Sequence, residues 1–276
     1  MSSLAQRVIV ALIIGPGLLL AAYFGGLVYF IPVSLLLLIA GSEYAAITRA
    51  LGRQVPNWLL LPCIGVLLIA GQWFMPNGMG LALLLSLMAV VFFALKMHEW
   101  SASTDAALDW FTLVAGFMLL GWLGSHFFQL RNLPVYGWQW TLITLVSIWT
   151  ADAAAYMTGK FLVGRVLGRH TLAPRLSPNK TVEGYIGGIV AGVAVTLLLA
   201  YLLGLPLLMA GVVGLAVSAL SVVGDLSISL LKREAGVKDT GKLFPGHGGA
   251  LDRFDTLIWA VAIAYYLIVF LGPYLS

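Results

Sequence analysis

Residues 206–231 read PLLMAGVVGLAVSALSVVGDLSISLL, twenty-six positions with one charged side chain, Asp225. A hydrocarbon layer about 30 Å thick is crossed by a helix of roughly 20 apolar residues, so this stretch reads as a membrane span with a carboxylate inside it. Eight further runs qualify, near 8–24, 27–48, 57–75, 79–97, 109–130, 138–159, 183–204 and 256–274. They are separated by turn chemistry such as Gly25-Gly26, Pro76-Asn77-Gly78 and Gly204 to Pro206. Composition agrees, because 61% of the 276 residues are apolar and only 9% are charged, where a soluble domain carries about 25%. With a mean hydropathy of +1.00, a water-soluble globule and a disordered chain are both excluded. Helices satisfy their own backbone hydrogen bonds in lipid, so the expected fold is an all-α polytopic membrane protein of about nine transmembrane helices. The run at 8–24 follows only Arg7 and leads straight into another span, which predicts an uncleaved anchor. The single cysteine, Cys63, lies in an apolar run and excludes a disulfide framework and a Cys-based zinc site.

The basic residues orient the chain. With nine passes and a cytoplasmic N-terminus, fourteen of the fifteen Lys and Arg fall on the inner side and Arg131 alone on the outer, the bias that cytoplasmic loops show. The C-terminus is then expected outside. Charge is also concentrated, with seven of 26 charged residues in 152–183 and ten in 225–255. The chain thus divides into N-terminal transmembrane helices, 1–137, serving as anchor and scaffold, and a C-terminal transmembrane catalytic region, 138–276, with cytoplasmic loops 160–181 and 233–255. The net charge of +4 is spread among acids and forms no basic stripe, so nucleic acid is not an expected partner.

Asp225 is the sharpest single signal. An ionised carboxylate in a span costs about 3 kcal/mol on insertion scales, so it needs a partner or a metal. At 100° per residue Asp225, Ser229 and Lys232 share one helix face with Arg233 at its edge, and a structural Asp–Lys pair is the competing reading. Asp152, one turn before Tyr156, is a second acid in an apolar run. Further on, GVKDTGKL resembles a phosphate-binding P-loop, but Leu243 stands where that motif needs a hydroxyl and a membrane helix precedes it. More informative is Pro245-Gly246-His247-Gly248-Gly249, followed by Asp252, Arg253 and Asp255. Glycines let backbone N–H groups approach an anion, and a helix starting near Ala250 would favour negative charge at its N-terminus. Asp252 and Asp255, three apart, are expected on one face of that first turn. Acids placed where anions are welcomed point to a divalent cation between them, as magnesium binds through one or two carboxylates plus substrate phosphates. In the other loop Ser177, Lys180 and Thr181 supply hydroxyls and a cation, while Gly184, Gly187 and Gly188 read as helix-packing notches.

The stretch Ser229 to Asp255, SLLKREAGVKDTGKLFPGHGGALDRFD, resembles the signature of the phosphatidate cytidylyltransferases, or CDP-diglyceride synthases. That signature asks for Ser229, Lys232-Arg233, Lys238-Asp239, a Pro before His247-Gly248-Gly249, then Asp252-Arg253 and Asp255. All are present, with Ala250 where the family has a larger aliphatic residue. SPNKTVEG at 177–184 is similar to a second family motif, with Val182 in place of a frequent aromatic. Asp152 with Tyr156, and Glu43-Tyr44, are similar to weaker features.

The resemblance implies synthesis of CDP-diacylglycerol and pyrophosphate from CTP and phosphatidic acid, with Mg2+ and room for a second, monovalent cation such as K+. It implies a metal centre on Asp225 and Asp252, and we extend the candidate metal set to Asp255. Lys238, Asp239 and His247 complete the catalytic candidates. Ser177, Lys180, Thr181, Ser229, Lys232, Arg233, Gly248, Gly249 and Arg253 are the substrate-binding ones. Within these, Lys232 and Arg233 are expected on the lipid phosphate, Lys180, Lys238 and Arg253 on CTP phosphates, and His247 on the leaving pyrophosphate. A homodimer in the bacterial cytoplasmic membrane, with its active site facing the cytoplasm, is part of the same expectation. Two other classes stay open at this point: a different CTP-dependent lipid enzyme, acting on an isoprenoid-ether analogue or as a polyprenol kinase, and an ion-coupled transporter using Asp225 and Asp152.

Overall fold

A computed structural model describes residues 15–101, 104–161, 168–243 and 248–275. The chain falls into two compact units, one of residues 1–132 and 231–254, the other of residues 133–230 and 255–276. Long apolar segments without charged residues have no preferred water-facing side, so both units are built from helices that are apolar all round. Among the described residues, six helical stretches are long and apolar enough to cross a membrane: Gly26–Ala50, Asn77–Ser101, Ala106–Arg131, Val182–Leu203, Leu207–Glu234 and Leu251–Tyr274. The protein is a helical membrane protein. Part of the run predicted at 8–24 lies outside the described residues; its remainder is a short helix.

The first unit holds α1 (Gly15–Phe24), α2 (Gly26–Ala50), α3 (Asn57–Trp73), α4 (Asn77–Ser101), α5 (Ala106–Phe117), a π-helical turn at Met118–Leu123, and α6 (Gly124–Arg131). Its core is aliphatic and aromatic: Leu37 of α2, Leu60, Ile64 and Leu67 of α3, Leu113 and Phe117 of α5, and Phe127 of α6 are fully buried. By contrast Leu81, Leu84, Leu85, Met88 and Phe92 of α4 are exposed, an apolar surface of the kind that faces acyl chains rather than water. Arg131 donates to the carbonyls of Ala22 and, at 2.9 Å, Tyr23, satisfying the C-terminal carbonyls of α1 with a cation. Gly25 (φ 68°) sits against that guanidinium, where a Cβ would collide. At the other end of α2, Arg49 donates to Val55 O at 2.7 Å, and the N–H of Gln54 donates to the buried Asp109 at 2.8 Å, closing the turn before α3.

The second unit holds α7 (Gly137–Phe161), strands β1 (Thr171–Ala173) and β2 (Ser177–Thr181), α8 (Val182–Leu203), α9 (Leu207–Leu220), the start of α10 (Val222–Glu234) and α12 (Leu257–Leu275). The remainder of α10 and the single turn α11 (Leu251–Phe254) fold with the first unit. Gly184, Gly188 and Gly192 form a stripe on α8 that lets α7 approach closely. An added Cβ would lie 2.8 Å from Ala155 O at Gly184 and 2.7 Å from Ala151 O at Gly188. At Gly187 it would meet Thr158 Oγ1 at 2.6 Å, so the predicted packing notches are found as such. Helix α8 ends at Gly204 (φ 70°), left-handed, with the N–H of Leu205 returning to Ala200 O at 2.9 Å and Pro206 next.

Three local readings change. The segment between α7 and α8 contains a small antiparallel ribbon, Thr171 opposite Thr181. The run at 206–231 is interrupted at Ser221, whose hydroxyl bonds back to Val217 O at 2.6 Å. That break places Asp225 in the first turn of α10, where the N-terminal partial positive charge favours a carboxylate. Helix α11 stops at Phe254, so Asp252 and Asp255 do not share one helical face: Asp255 lies in the break before α12, and its Oδ1 accepts the N–H of Thr256 at 2.7 Å.

Candidate active site

Strand β2 carries Ser177, Lys180 and Thr181, and the open end of the ribbon is anchored to the start of α8 through both strands. Thr181 Oγ1 accepts the N–H of Gly184 at 3.1 Å, the side-chain cap expected of a Thr at this position. The N–H of Val182 donates to His170 O at 2.8 Å, and the His170 ring lies 2.6 Å from Glu183. Held in this way, Lys180 forms an ion pair with Asp225. Ser229, one turn along α10, donates to the other Asp225 oxygen at 3.1 Å, as the 100° spacing predicts. Lys180 and Asp225 are 30% and 28% exposed, so the pair remains reachable from outside the protein.

Lys232 takes a different partner from the one its spacing suggests. Its Nζ lies 2.6 Å from Asp252 Oδ1, in a pair only 11% and 4% exposed. The other Asp252 oxygen accepts from Thr240 N at 2.8 Å, Thr240 Oγ1 at 2.9 Å and Gly249 N at 3.0 Å. A buried carboxylate surrounded by an ammonium and three further donors is stable as an anion, and removing the ammonium or the carboxylate would strand its partner in a dry setting. The glycines earn their place sterically: Gly248 is left-handed (φ 82°), and a Cβ there would press on Asp252.

The N–H groups at the predicted helix start are occupied by the protein's own acids. Gly249 N goes to Asp252, while Ala250 N and Leu251 N go to Glu43 at 3.0 and 2.8 Å. The hydroxyl of Thr240 is a participant that motif reading does not single out, and the carboxylate of Glu43 is one it notes only as part of a weaker family feature. In the sequence Glu43 stands out as an acid near the end of an otherwise apolar run and in the Glu43-Tyr44 pair, whereas Thr240 is not singled out. Arg233, Lys238, Lys242 and Arg253 are exposed, which suits cations meant for phosphate ligands, and the carboxylate of Asp239 is exposed among them. Asp152 is exposed on α7, and Tyr156 accepts from Lys160 at 3.2 Å. His247 lies outside the described residues, as do Phe244, Pro245 and Gly246.

The structure thus assembles two sets: Lys180, Asp225 and Ser229 in one unit, and Lys232, Thr240, Gly249 and Asp252 in the other. Among the described residues no three His, Cys, Asp or Glu side chains converge as a metal cage. Two carboxylates, Asp225 and Asp252, each beside a lysine, are donors of the kind magnesium uses, since it keeps several waters and binds through one or two carboxylates with substrate phosphates.

Residues 5–271 match the cytidylyltransferase family. Curated relatives include the phosphatidate cytidylyltransferase of Brucella suis biovar 1 (strain 1330), 33% identical over 272 residues, 96% of this chain and 93% of that protein. The phosphatidate cytidylyltransferase of Staphylococcus aureus (strain COL) is 32% identical over 271 residues, 95% of this chain and 96% of its own. That of Bacillus subtilis (strain 168) is 39% identical over 151 residues, 54% of each chain.

Proposed function

Because this chain belongs to the cytidylyltransferase family, we propose that it transfers the cytidylyl group of CTP to phosphatidic acid, giving CDP-diacylglycerol and pyrophosphate. The observation that carries this reading is the pairing of a lysine from each of the two motif segments with an aspartate, Lys180 with Asp225 and Lys232 with Asp252. Such a pair stores a phosphate-binding cation and a metal-binding carboxylate together at neutral net charge. A metal-bound phosphate can then enter as a matched ligand, with phosphate going to the lysine and metal to the aspartate.

The chain's own residues have three tasks. Lys232 and Arg233, at the end of α10, hold the lipid phosphate. Lys180, Lys238 and Arg253 hold the phosphates of CTP and stabilise the pyrophosphate as it departs, with Ser177 and Thr181 donating hydroxyls and His247 donating to the leaving group. Asp225 and Asp252 are the residues that would hold magnesium, which when bound neutralises charge on the phosphate oxygens. Asp255, whose Oδ1 accepts the N–H of Thr256, is the third candidate for that set. An oxygen of the lipid phosphate attacks the α-phosphorus in line with the departing pyrophosphate. With a second phosphate pKa of about 6, that nucleophile is already largely ionised at neutral pH, so no strong general base is needed.

The test is incubation of purified protein with α-labelled CTP and either phosphatidate or a polyprenol. Labelled liponucleotide formed from phosphatidate is expected, and a phosphorylated alcohol instead would establish a kinase. Direct displacement also inverts an α-thio CTP analogue at phosphorus. Retention, or label on the protein after CTP without lipid, would replace the direct transfer with a covalent enzyme intermediate.

The proposal includes nine passes, a cytoplasmic N-terminus, an outward C-terminus, and an active site on the cytoplasmic side of a bacterial inner membrane, in a homodimer. The number of passes and their orientation are supported by the fourteen-to-one asymmetry of basic residues. In a Cys63→Ala background, Arg169→Cys and Lys242→Cys should both resist a membrane-impermeant thiol reagent in intact cells and react once the membrane is opened. Labelling of either position from outside would reverse the orientation.

A further inference from the structure

The loop that carries Asp252 is wrapped around a second carboxylate, Glu43, which comes from α2, some two hundred residues earlier in the chain. Glu43 Oε1 accepts the N–H of Ala250 at 3.0 Å, and Oε2 accepts the N–H of Leu251 at 2.8 Å and lies 2.9 Å from the hydroxyl of Thr240. The loop has no side chain in the space the carboxylate fills: a Cβ at Gly241 or at Gly249 would collide with it. Two glycines, two backbone donors and one hydroxyl therefore converge on a single acid, and an isolated ionised acid in such a pocket would be costly without them.

Thr240 links this acid to Asp252. Its hydroxyl lies 2.9 Å from Glu43 Oε2 and 2.9 Å from Asp252 Oδ2, and it has one proton to donate. When that proton points to Asp252, the aspartate oxygen is fully engaged by three donors. When it points to Glu43, an Asp252 lone pair is released while Thr240 N and Gly249 N still fix its position. We infer that Glu43 is a positioning residue for the reaction: it templates the segments Thr240–Gly241 and Gly249–Leu251 and accepts the Thr240 hydrogen bond when Asp252 turns toward a metal ion. The second half of this inference rests on the reading of Asp252 as a magnesium-holding residue; the first half stands without it.

The test uses Glu43→Gln, which keeps the size of the side chain but faces an amide NH2 toward one of these donors, together with Thr240→Val and Thr240→Ser in the full-length protein in detergent. Exposed Lys238 and Lys242 flank or lie in the loop, so limited trypsin digestion reads its order directly. Loss of a hydrogen bond to a charged group corresponds to about a tenfold change or more, so Glu43→Gln and Thr240→Val should each be cut at these lysines about tenfold faster than wild type. Both should also need about tenfold more Mg2+ for half-maximal turnover, with a smaller change in the saturated rate. The double variant should be no worse than either single, and Thr240→Ser, which keeps the hydroxyl, should behave as wild type. Wild-type digestion of folded Glu43→Gln would overturn the templating role. Faster digestion with an unchanged Mg2+ requirement would overturn the link to Asp252 while leaving the templating role in place. Should Glu43→Gln not fold, Thr240→Val carries the same two readouts. The digestion result does not depend on the substrate, so it separates a failure of this inference from a failure of the proposed reaction.

Discussion

Asp225→Asn and Asp252→Asn are each expected to reduce turnover per folded molecule by roughly a thousandfold, since charge stabilisation by a metal is worth several kcal/mol and each 1.36 kcal/mol is a factor of ten. If both act on one centre, the double variant will be scarcely slower than either single, the behaviour of residues that work as a unit. Their stabilities should differ. Asp252→Asn leaves Lys232 charged in a site where it is 11% exposed, and breaking a buried pair costs about 3–5 kcal/mol. Asp225→Asn leaves Lys180, 30% exposed and able to reach solvent, at a cost nearer the 0–1 kcal/mol of a surface pair. Turnover, magnesium dependence and thermal stability measured on the same preparations separate chemistry from folding. Near-normal magnesium-dependent activity in Asp225→Asn would reduce it to a structural partner of Lys180 and end the metal assignment.

Gly188→Leu should be the most damaging substitution among the helix-packing glycines. Even the first atom of the new side chain would sit 2.7 Å from Ala151 O and 3.1 Å from the Ala155 Cβ, and the obstacle at Ala151 is backbone, which cannot rotate away. Overpacking of a close interface costs about 1–3 kcal/mol and more where backbones must separate, so a large loss of folded yield and a lower melting temperature in detergent are expected. Gly65→Ala on α3 is the matched control, because nothing lies within 4 Å of its Cβ. There the gain in helix propensity, about 0.5–1 kcal/mol, should leave stability equal or higher. Equal melting temperatures for Gly188→Leu and wild type would mean that α7 and α8 do not pack through this stripe.

The sequence by itself determined what depends on local composition. Long apolar runs had to become helices because no other single segment satisfies its backbone in lipid, and the breaks at Gly204-Leu205-Pro206 and after α2 follow from turn residues. The chemistry-bearing segments were legible for the same reason, since charges in a mostly apolar chain stand out, and Ser229 meets Asp225 because one helical turn separates them. Partner choice was not legible. Lys232 shares a helix face with Asp225, yet it binds Asp252, and Asp225 is matched by Lys180, forty-five positions away. The face rule fixes direction along one helix, whereas the choice among several acids depends on which one the rest of the chain brings within about 3 Å. The same holds for the helix breaks at Ser221 and Phe254, which no Gly or Pro announces. It holds most of all for Glu43, whose role exists only because folding brings α2 to a loop some two hundred residues later, where backbone donors that would otherwise be unsatisfied need an anion.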